Sequence, residues 1–246
     1  MTAPGRVGVV TQARTTSTRL PGKVLLEAGG RTMLDHHLDR LGAAGLDVYV
    51  ATTVHDTDDP IVELATARGL PVWRGSEDDV LSRFAGCARE YALDTVVRVT
   101  SDCPLIDGNL VAGAVAEFER AADPWLYVSN GIERTYPRGM DFEVFSAEAL
   151  FAADAAATEP AHREHVTPWL YLDVSGRTHL RHVTRVPDAS GYRITLDTPD
   201  DLRLITVLIE DFFAQRLGVD EIIAVLDDHP DLSGINLHVE QKKLGQ

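Results

Sequence analysis

Short, almost wholly apolar runs, VGVV, VYVA and VVRV, recur through the first half of the chain with amphipathic stretches between them. Strands of that composition are buried on both faces, which is the mark of a parallel sheet covered by helices on each side. Strands are expected at 6–11, 47–52, 72–73, 95–99 and 126–129, and helices at 33–42, 59–67, 79–91 and 108–120. Alternation of this kind predicts an α/β fold with a mostly parallel open sheet. The rhythm breaks after Asn130, where a loop rich in Gly, Pro and Arg leads to a strand expected at 141–145. Two helical stretches and a strand near 180–183 follow. A short strand at 193–196, a long helix at 199–215 and a helix near 220–226 then precede a polar tail. The 246 residues suit one domain, 1–246, since a chain of this length is short for two independent cores. Within it, residues 131–188 read as an inserted subdomain.

Charge and cysteine usage narrow the function. The formal net charge is −15 and there is no broad basic stretch, whereas binding a nucleic-acid polymer requires clustered cations against phosphates. A mononucleotide needs only two or three local cations, so it stays within reach. Cys87 and Cys103 lack metal-ligand spacing and read as free thiols, which suits a reducing cytoplasm. No apolar run approaches the roughly 20 residues of a membrane span, and residues 1–6 do not read as the start of a secretory signal. A cytoplasmic protein without a membrane partner is expected.

Three segments carry chemistry. The first, TQARTTSTRLPGK at 11–23, directly follows the first strand, where open α/β sheets bind ligands. Its Arg14, Arg19 and Lys23, with small hydroxyl residues and Gly22, can cradle a polyphosphate through backbone amides and cations. A solvated basic loop is the bland alternative, and the spacing is not that of a Walker-type loop. The second, VVRVTSDCPLID at 96–107, puts Asp102 just past a buried strand. The third, ITLDTPDDL at 194–202, puts Asp197 before a helix that Pro199 begins. Two carboxylates at strand ends can hold Mg²⁺ together with substrate phosphates. Asp197 could instead cap the helix, although Thr198 and Asp200 could do so equally well.

These segments resemble the SpsF-type, spore-coat polysaccharide branch of the cytidylyltransferase family, which also includes CMP-Kdo and CMP-sialic acid synthetases. The resemblance runs over nearly the whole chain, through QARTTSTRLPGK, ATT, DDPIVELA, RGSEDDVLSRF, RVTSDCPLID, TYPRGMDFEVF, REHVTP, LDTPDDL and INLHVEQKK. It implies a Rossmann-like nucleotide-binding domain of the glycosyltransferase-A kind, with CTP as donor and Mg²⁺ as cofactor. It further implies that Arg14 and Lys23 hold the triphosphate and, with Asp102, carry catalysis, and that Asp102 and Asp197 bind the metal. Gln12, Ala13, Arg74, Arg98 and Ser101 would lie near the base or ribose, with Thr52 of the matching ATT also on the nucleotide. The acceptor does not carry over, because the Kdo synthetases have a different acceptor-binding half.

Arg134, Tyr136, Arg138, Asp141 and Glu143 crowd one loop and strand, and Arg163, Glu164 and His165 sit together later. Arginines there suit a carboxylate, phosphate or phosphonate on a small acceptor. The same composition suits a subunit interface, and a homodimer through part of 131–188 is expected. His165 reads either as a general base or as a structural hydrogen-bonding group. The whole points to CMP transfer from CTP to a small anionic acceptor, with pyrophosphate released. A metal-dependent glycosyltransferase is the rival enzyme, but Asp102 stands in SDCP rather than in an Asp-x-Asp pair. A non-catalytic nucleotide-binding module is opposed by the presence of Arg14, Lys23, Asp102 and Asp197 together.

Overall fold

The computed structural model describes residues 5–240. Strand β1 (Val7–Gln12) lies inside a seven-stranded sheet, flanked in parallel by β4 (Val48–Thr53) and β6 (Thr95–Thr100), with β5 (Val72–Gly75) parallel to β4 at one edge. Beyond β6 the sheet continues through β8 (Glu143–Ser146), antiparallel to both β6 and β7 (Leu126–Ser129). β9 (His179–His182) pairs in parallel with β7 and closes the other edge. The strand order is therefore β5-β4-β1-β6-β8-β7-β9, and a small ribbon of β2 (Glu27–Ala28) and β3 (Arg31–Thr32) stands apart. The fold is the expected mostly parallel, Rossmann-like sheet. Two strands from residues 131–188, β8 and β9, are hydrogen-bonded into that same sheet.

Alternation along the strands sorts side chains to two faces. Val9, Val50, Val97 and Val144 enter a core with α1 (Met33–Ala43), α2 (Asp59–Ala67) and α4 (Gly108–Ala121). Their neighbours Val10, Tyr49, Ala51, Val96 and Phe145 face the opposite layer, made by α3 (Val80–Glu90), α5 (Ala147–Ala156), α6 (Pro160–His165) and α7 (Pro168–Tyr171). Phe84 is completely buried there, and its truncation to Ala should cost about 3–5 kcal/mol. A third cluster gathers Met33, Leu105, Ile194 and Leu196 with α8 (Pro199–Glu210), α9 (Val219–Asp228) and α10 (Pro230–Gly234).

Two expectations need correction. Residues 193–196 form no strand; they run extended, with a single bridge from Arg193 to Arg138. The close approach requires a glycine, because a Cβ on Gly139 would meet the Ile194 backbone at 2.6 Å, and its φ is +102°. The helix expected at 199–215 stops at Glu210, and Phe213 adopts a left-handed φ of 55° before a short turn, Ala214–Arg216.

The chain leaves β1 towards β4 and β5 on one side, then returns to β6 on the other. The switch point between β1 and β6 opens a crevice at the carboxyl ends of both strands, where this class of sheet binds ligands. The basic loop and the SDCP turn are the two segments that leave those ends.

Candidate active site

The basic loop is held in shape from outside itself. Asp58, completely buried, accepts bonds from the Thr15 amide at 2.8 Å and hydroxyl at 2.7 Å, and from the Thr52 and Thr53 hydroxyls at 3.2 and 2.5 Å. Burial raises its pKa, but these donors outweigh burial and hold the carboxyl below its ordinary range. Thr15 also closes the loop on itself, its carbonyl accepting from Ser17 N and Gly22 N, both at 2.9 Å. Gly22, at φ +66°, turns the chain into the single helical turn Lys23–Leu25, whose Val24 is buried. Lys23 is thereby pinned at the root of its side chain and aimed into the crevice.

Asp102 and Asp197 meet at that side chain. Lys23 Nζ lies 2.7 Å from Asp102 Oδ2 and 2.8 Å from Asp197 Oδ1. The segments that carry the two carboxylates are stitched together, since the Asp102 carbonyl accepts from Leu196 N at 2.8 Å and Thr195 Oγ1 at 3.2 Å. Burial pushes the Asp102 carboxyl up, yet Lys23 overrides it and holds the pKa at about 2. Burial likewise disfavours the Lys23 ammonium, and the two aspartates together raise its pKa above the ordinary value. Arg19 reaches the other oxygen of Asp197 at 3.0 Å. Among the described residues no group of three or more His, Cys, Asp and Glu converges as a closed metal site. A pair is still the donor set that Mg²⁺ uses beside phosphates, and two carboxylates that already share one ammonium converge on a cationic point. The residues present fit a divalent cation that arrives with a polyphosphate.

Beneath the crevice runs a buried polar chain. His37 Nδ1 donates to the Cys103 carbonyl at 2.9 Å, which leaves Nε2 to accept from the Thr11 hydroxyl at 2.9 Å. Thr11 in turn meets Ser101 Oγ at 2.8 Å. Burial lowers the His37 pKa to about 4, so the ring is neutral at pH 7.

Two cavities open at the crevice. One, of about 230 Å³, is lined by Gln12, Ala13, Arg14, Arg19, Lys23 and Ser101 among others. The other, of about 560 Å³, runs under the β7–β8 loop and is lined by Arg98, Arg134, Arg138, Asp141, Glu143 and His165, with Glu164, Thr167 and Tyr171. They meet along a seam of Arg14, Arg19, Thr100, Asp102 and Asp197, which line both. Most cations here are already paired: Arg14 with Glu77 at 3.3 Å, Arg98 with Glu143 at 2.7 Å and Arg134 with Asp141 at 2.5 Å. The Arg138 guanidinium makes no hydrogen bond or ion pair with any of the described residues, and burial with Arg134 nearby lowers its pKa.

Four residues expected at the site line neither cavity. Thr52 is completely buried, with its hydroxyl committed to Asp58. Arg74 spends its guanidinium on the Thr53 and His55 carbonyls and on Asp59. Tyr136 packs into the third core cluster. Arg163 ties α6 to Asp79, the N-cap of α3, at 2.6 Å and to Asp154 of α5 at 2.9 Å. Asp58, His37, Glu77 and Arg193 also support the site, although their residue types alone do not mark them out. The spacing of Arg193, Asp197 and Asp201, each four residues apart, was the one local hint. Asp58 and Glu77 lie within the matching stretches DDPIVELA and RGSEDDVLSRF, but their bonds to the basic loop, like those of His37 beneath it, join positions distant in sequence.

Residues 9–216 match the Cytidylyltransferase family. The Bacillus subtilis spore coat polysaccharide biosynthesis protein SpsF is 30% identical over 90% of this chain and 94% of its own length. A 3-deoxy-manno-octulosonate cytidylyltransferase from Solibacter usitatus is 36% identical over 87% of this chain and 99% of its own. The solved structure of a cytidylyltransferase from Leptospira borgpetersenii superposes with a TM-score of 0.89 at 32% identity, covering 97% of this chain and 99% of that one. The chain belongs to the cytidylyltransferase family and is a CTP-dependent nucleotidyltransferase.

Proposed function

We propose that the enzyme transfers CMP from CTP to a small anionic acceptor, with the nucleotide in the smaller cavity and the acceptor in the larger. The seam common to both cavities carries this reading, because the α-phosphate must be reached from both sides. Arg14, Arg19 and Lys23 bind the triphosphate, and Lys23 exchanges its carboxylate partners for phosphate oxygens. Gln12, Ala13 and Ser101 line the nucleotide side. Arg98, bonded at 3.3 Å to Gln12 and at 2.7 Å to Glu143, joins the two sides. Asp102 and Asp197 hold Mg²⁺, which when bound offsets the charge of two anions brought together.

An acceptor oxygen attacks the α-phosphorus, the bond to the β-phosphate oxygen breaks, and pyrophosphate leaves. No protein nucleophile is needed, so positioning and electrostatic preorganisation carry the rate. Arg138 meets the acceptor's anion, since it is the cavity cation without a partner among the described residues. Asp141, Glu143 and His165 orient the acceptor's hydroxyls. The stretch 131–188 also bears the exposed apolar residues Ile132, Leu172, Val174, Leu180 and Val186, which supports a homodimer through part of it. No helix among the described residues is long and apolar enough to cross a membrane.

The test is pyrophosphate release with the four nucleoside triphosphates crossed against sugar acids, sugar phosphates and phosphonates. CTP with one acceptor class should stand out, and excess EDTA should abolish release. Equal turnover with neutral sugars would overturn the anionic acceptor, and release in EDTA would overturn the metal.

A further inference from the structure

Asp197 rests on a scaffold that extends to the far end of the described chain. Its Oδ1 faces Lys23, while its Oδ2 accepts from Arg193 Nη2 at 2.7 Å. Arg193 is gripped in turn by Asp201, Nε to Oδ1 at 2.9 Å and Nη2 to Oδ2 at 3.1 Å. Asp201 is completely buried and also accepts from the Asp197 amide at 3.0 Å. It therefore holds Asp197 twice, by its backbone and through Arg193 by its side chain. A further member is Asn236, 2% exposed, whose Nδ2 donates to Asp201 Oδ1 at 2.7 Å and to the Arg193 carbonyl at 3.0 Å.

Helix capping explains only part of this. Thr198 and Asp201 form a capping box at the start of α8, which accounts for the bond from Thr198 N to Asp201 Oδ2 at 3.0 Å. A cap has no use for a buried guanidinium or for an amide brought from 35 residues away. Both act on the orientation of the Asp197 carboxylate. Oδ2 is shared between Arg193 behind it and Arg19 in the crevice, while Oδ1 meets Lys23, the ammonium that Asp102 also holds.

We propose that Arg193, Asp201 and Asn236 are positioning residues for Asp197, and that the C-terminal segment, through Asn236, sets the affinity for the divalent cation that accompanies CTP. This rests on the reading of Asp102 and Asp197 as metal ligands. Outer partners of metal-binding carboxylates typically change metal affinity about 10- to 100-fold when removed. Asn236 stands one step further out than Arg193, which places it at the lower end.

Two variants test this, Asn236→Ala and the charge-conserving Arg193→Lys. Free Mn²⁺ is followed by electron paramagnetic resonance during titration into protein with saturating CTP. CTP affinity is measured separately by calorimetry in excess EDTA. Both variants should bind Mn²⁺ about 10-fold more weakly while CTP affinity in EDTA stays at the wild-type value. Wild-type Mn²⁺ affinity in Asn236→Ala, accompanied by a lowered Tm, would reduce the network to a stability device and overturn the proposal. Should Arg193→Lys fail to fold, Asn236→Ala decides alone. A wild-type enzyme that binds CTP but no Mn²⁺ beside it would remove the metal reading itself, and this inference with it.

Discussion

The two cavities face each other across Asp102 and Asp197 but are built on opposite principles. On the nucleotide side the cations come from one contiguous loop, and a buried carboxylate from the next βα unit fixes that loop's shape. On the acceptor side they come from β6 and the β7–β8 loop, and Arg98 and Arg134 are paired with Glu143 and Asp141 of the same cavity, as Arg14, Arg19 and Lys23 are paired with carboxylates on theirs. The first arrangement gathers three cations in one loop, which suits a polyphosphate. The second disperses paired charges around one arginine that has no partner among the described residues, which suits a substrate with a single anionic group and many hydroxyls. What differs is the degree of commitment: the nucleotide side is shaped for one chemistry, and the acceptor side is polar lining around one anchor.

The seam should be the least tolerant place. Asp102→Ala or Asp197→Ala should lower kcat at least about 100-fold, the scale of losing a transition-state electrostatic contact. The melting temperature should stay near wild type for Asp102→Ala, since Lys23 keeps Asp197. Turnover within 10-fold of wild type in either variant would mean that the seam is not where the sides meet.

The brace under the nucleotide side should show in stability against pH. His37 has its pKa lowered from 6.5 to about 4 in the folded state, so the unfolded chain binds the proton first. Stability is full above pH 6.5 and is lost as pH falls from 6.5 towards 4, by up to about 3 kcal/mol from this group. Urea denaturation of wild type and His37→Gln over that window should show a flatter dependence in the variant. Parallel curves would place the acid sensitivity elsewhere.

The division of labour predicts opposite signatures for two single cations. Lys23→Ala should weaken CTP binding or slow transfer about 10-fold, roughly 1.4 kcal/mol, with Arg14→Ala in the same direction. Arg138→Ala should raise the acceptor KM by a similar factor with the calorimetric CTP affinity intact. If Arg138→Ala instead impaired CTP binding and spared the acceptor, the assignment of the cavities would be reversed. The smallest effects belong to Arg74→Ala and Arg163→Ala, which should leave kcat and both KM values within about two-fold while lowering Tm slightly, as loss of partly exposed charge-assisted bonds does. A selective rise in one KM would return that arginine to the site.

The same contrast governs what could be read from the sequence. β1, β4, α1 and α2 were legible because their period and composition are local, and the basic loop because three cations crowd 13 positions after a buried strand. The extended segment 193–196 resembles a strand in its residues, but among the described residues it makes one isolated bridge, to Arg138, and Leu196 bonds instead to the Asp102 carbonyl. Arg74 and Arg163 looked like ligands for the reason Arg138 did, each being an arginine in a specific motif. Only the folded chain shows that carboxylates and carbonyls have claimed the first two. Charge is written in sequence; whether a charge is already spent is decided by residues such as Asp59 and Asp79, which meet these arginines only through tertiary contacts.

The bonds that converge on Asp58 bear on how such a site can be moved between proteins. Thr15 is fastened to a carboxylate that is itself oriented by Thr52 and Thr53, at the end of a neighbouring strand. A graft of residues 11–23 into another open α/β scaffold would transplant the cations without their coordinates. The smallest portable unit is discontinuous: the loop together with 51–58, so that a chimera joined within that second stretch should fold and yet bind nucleotide poorly.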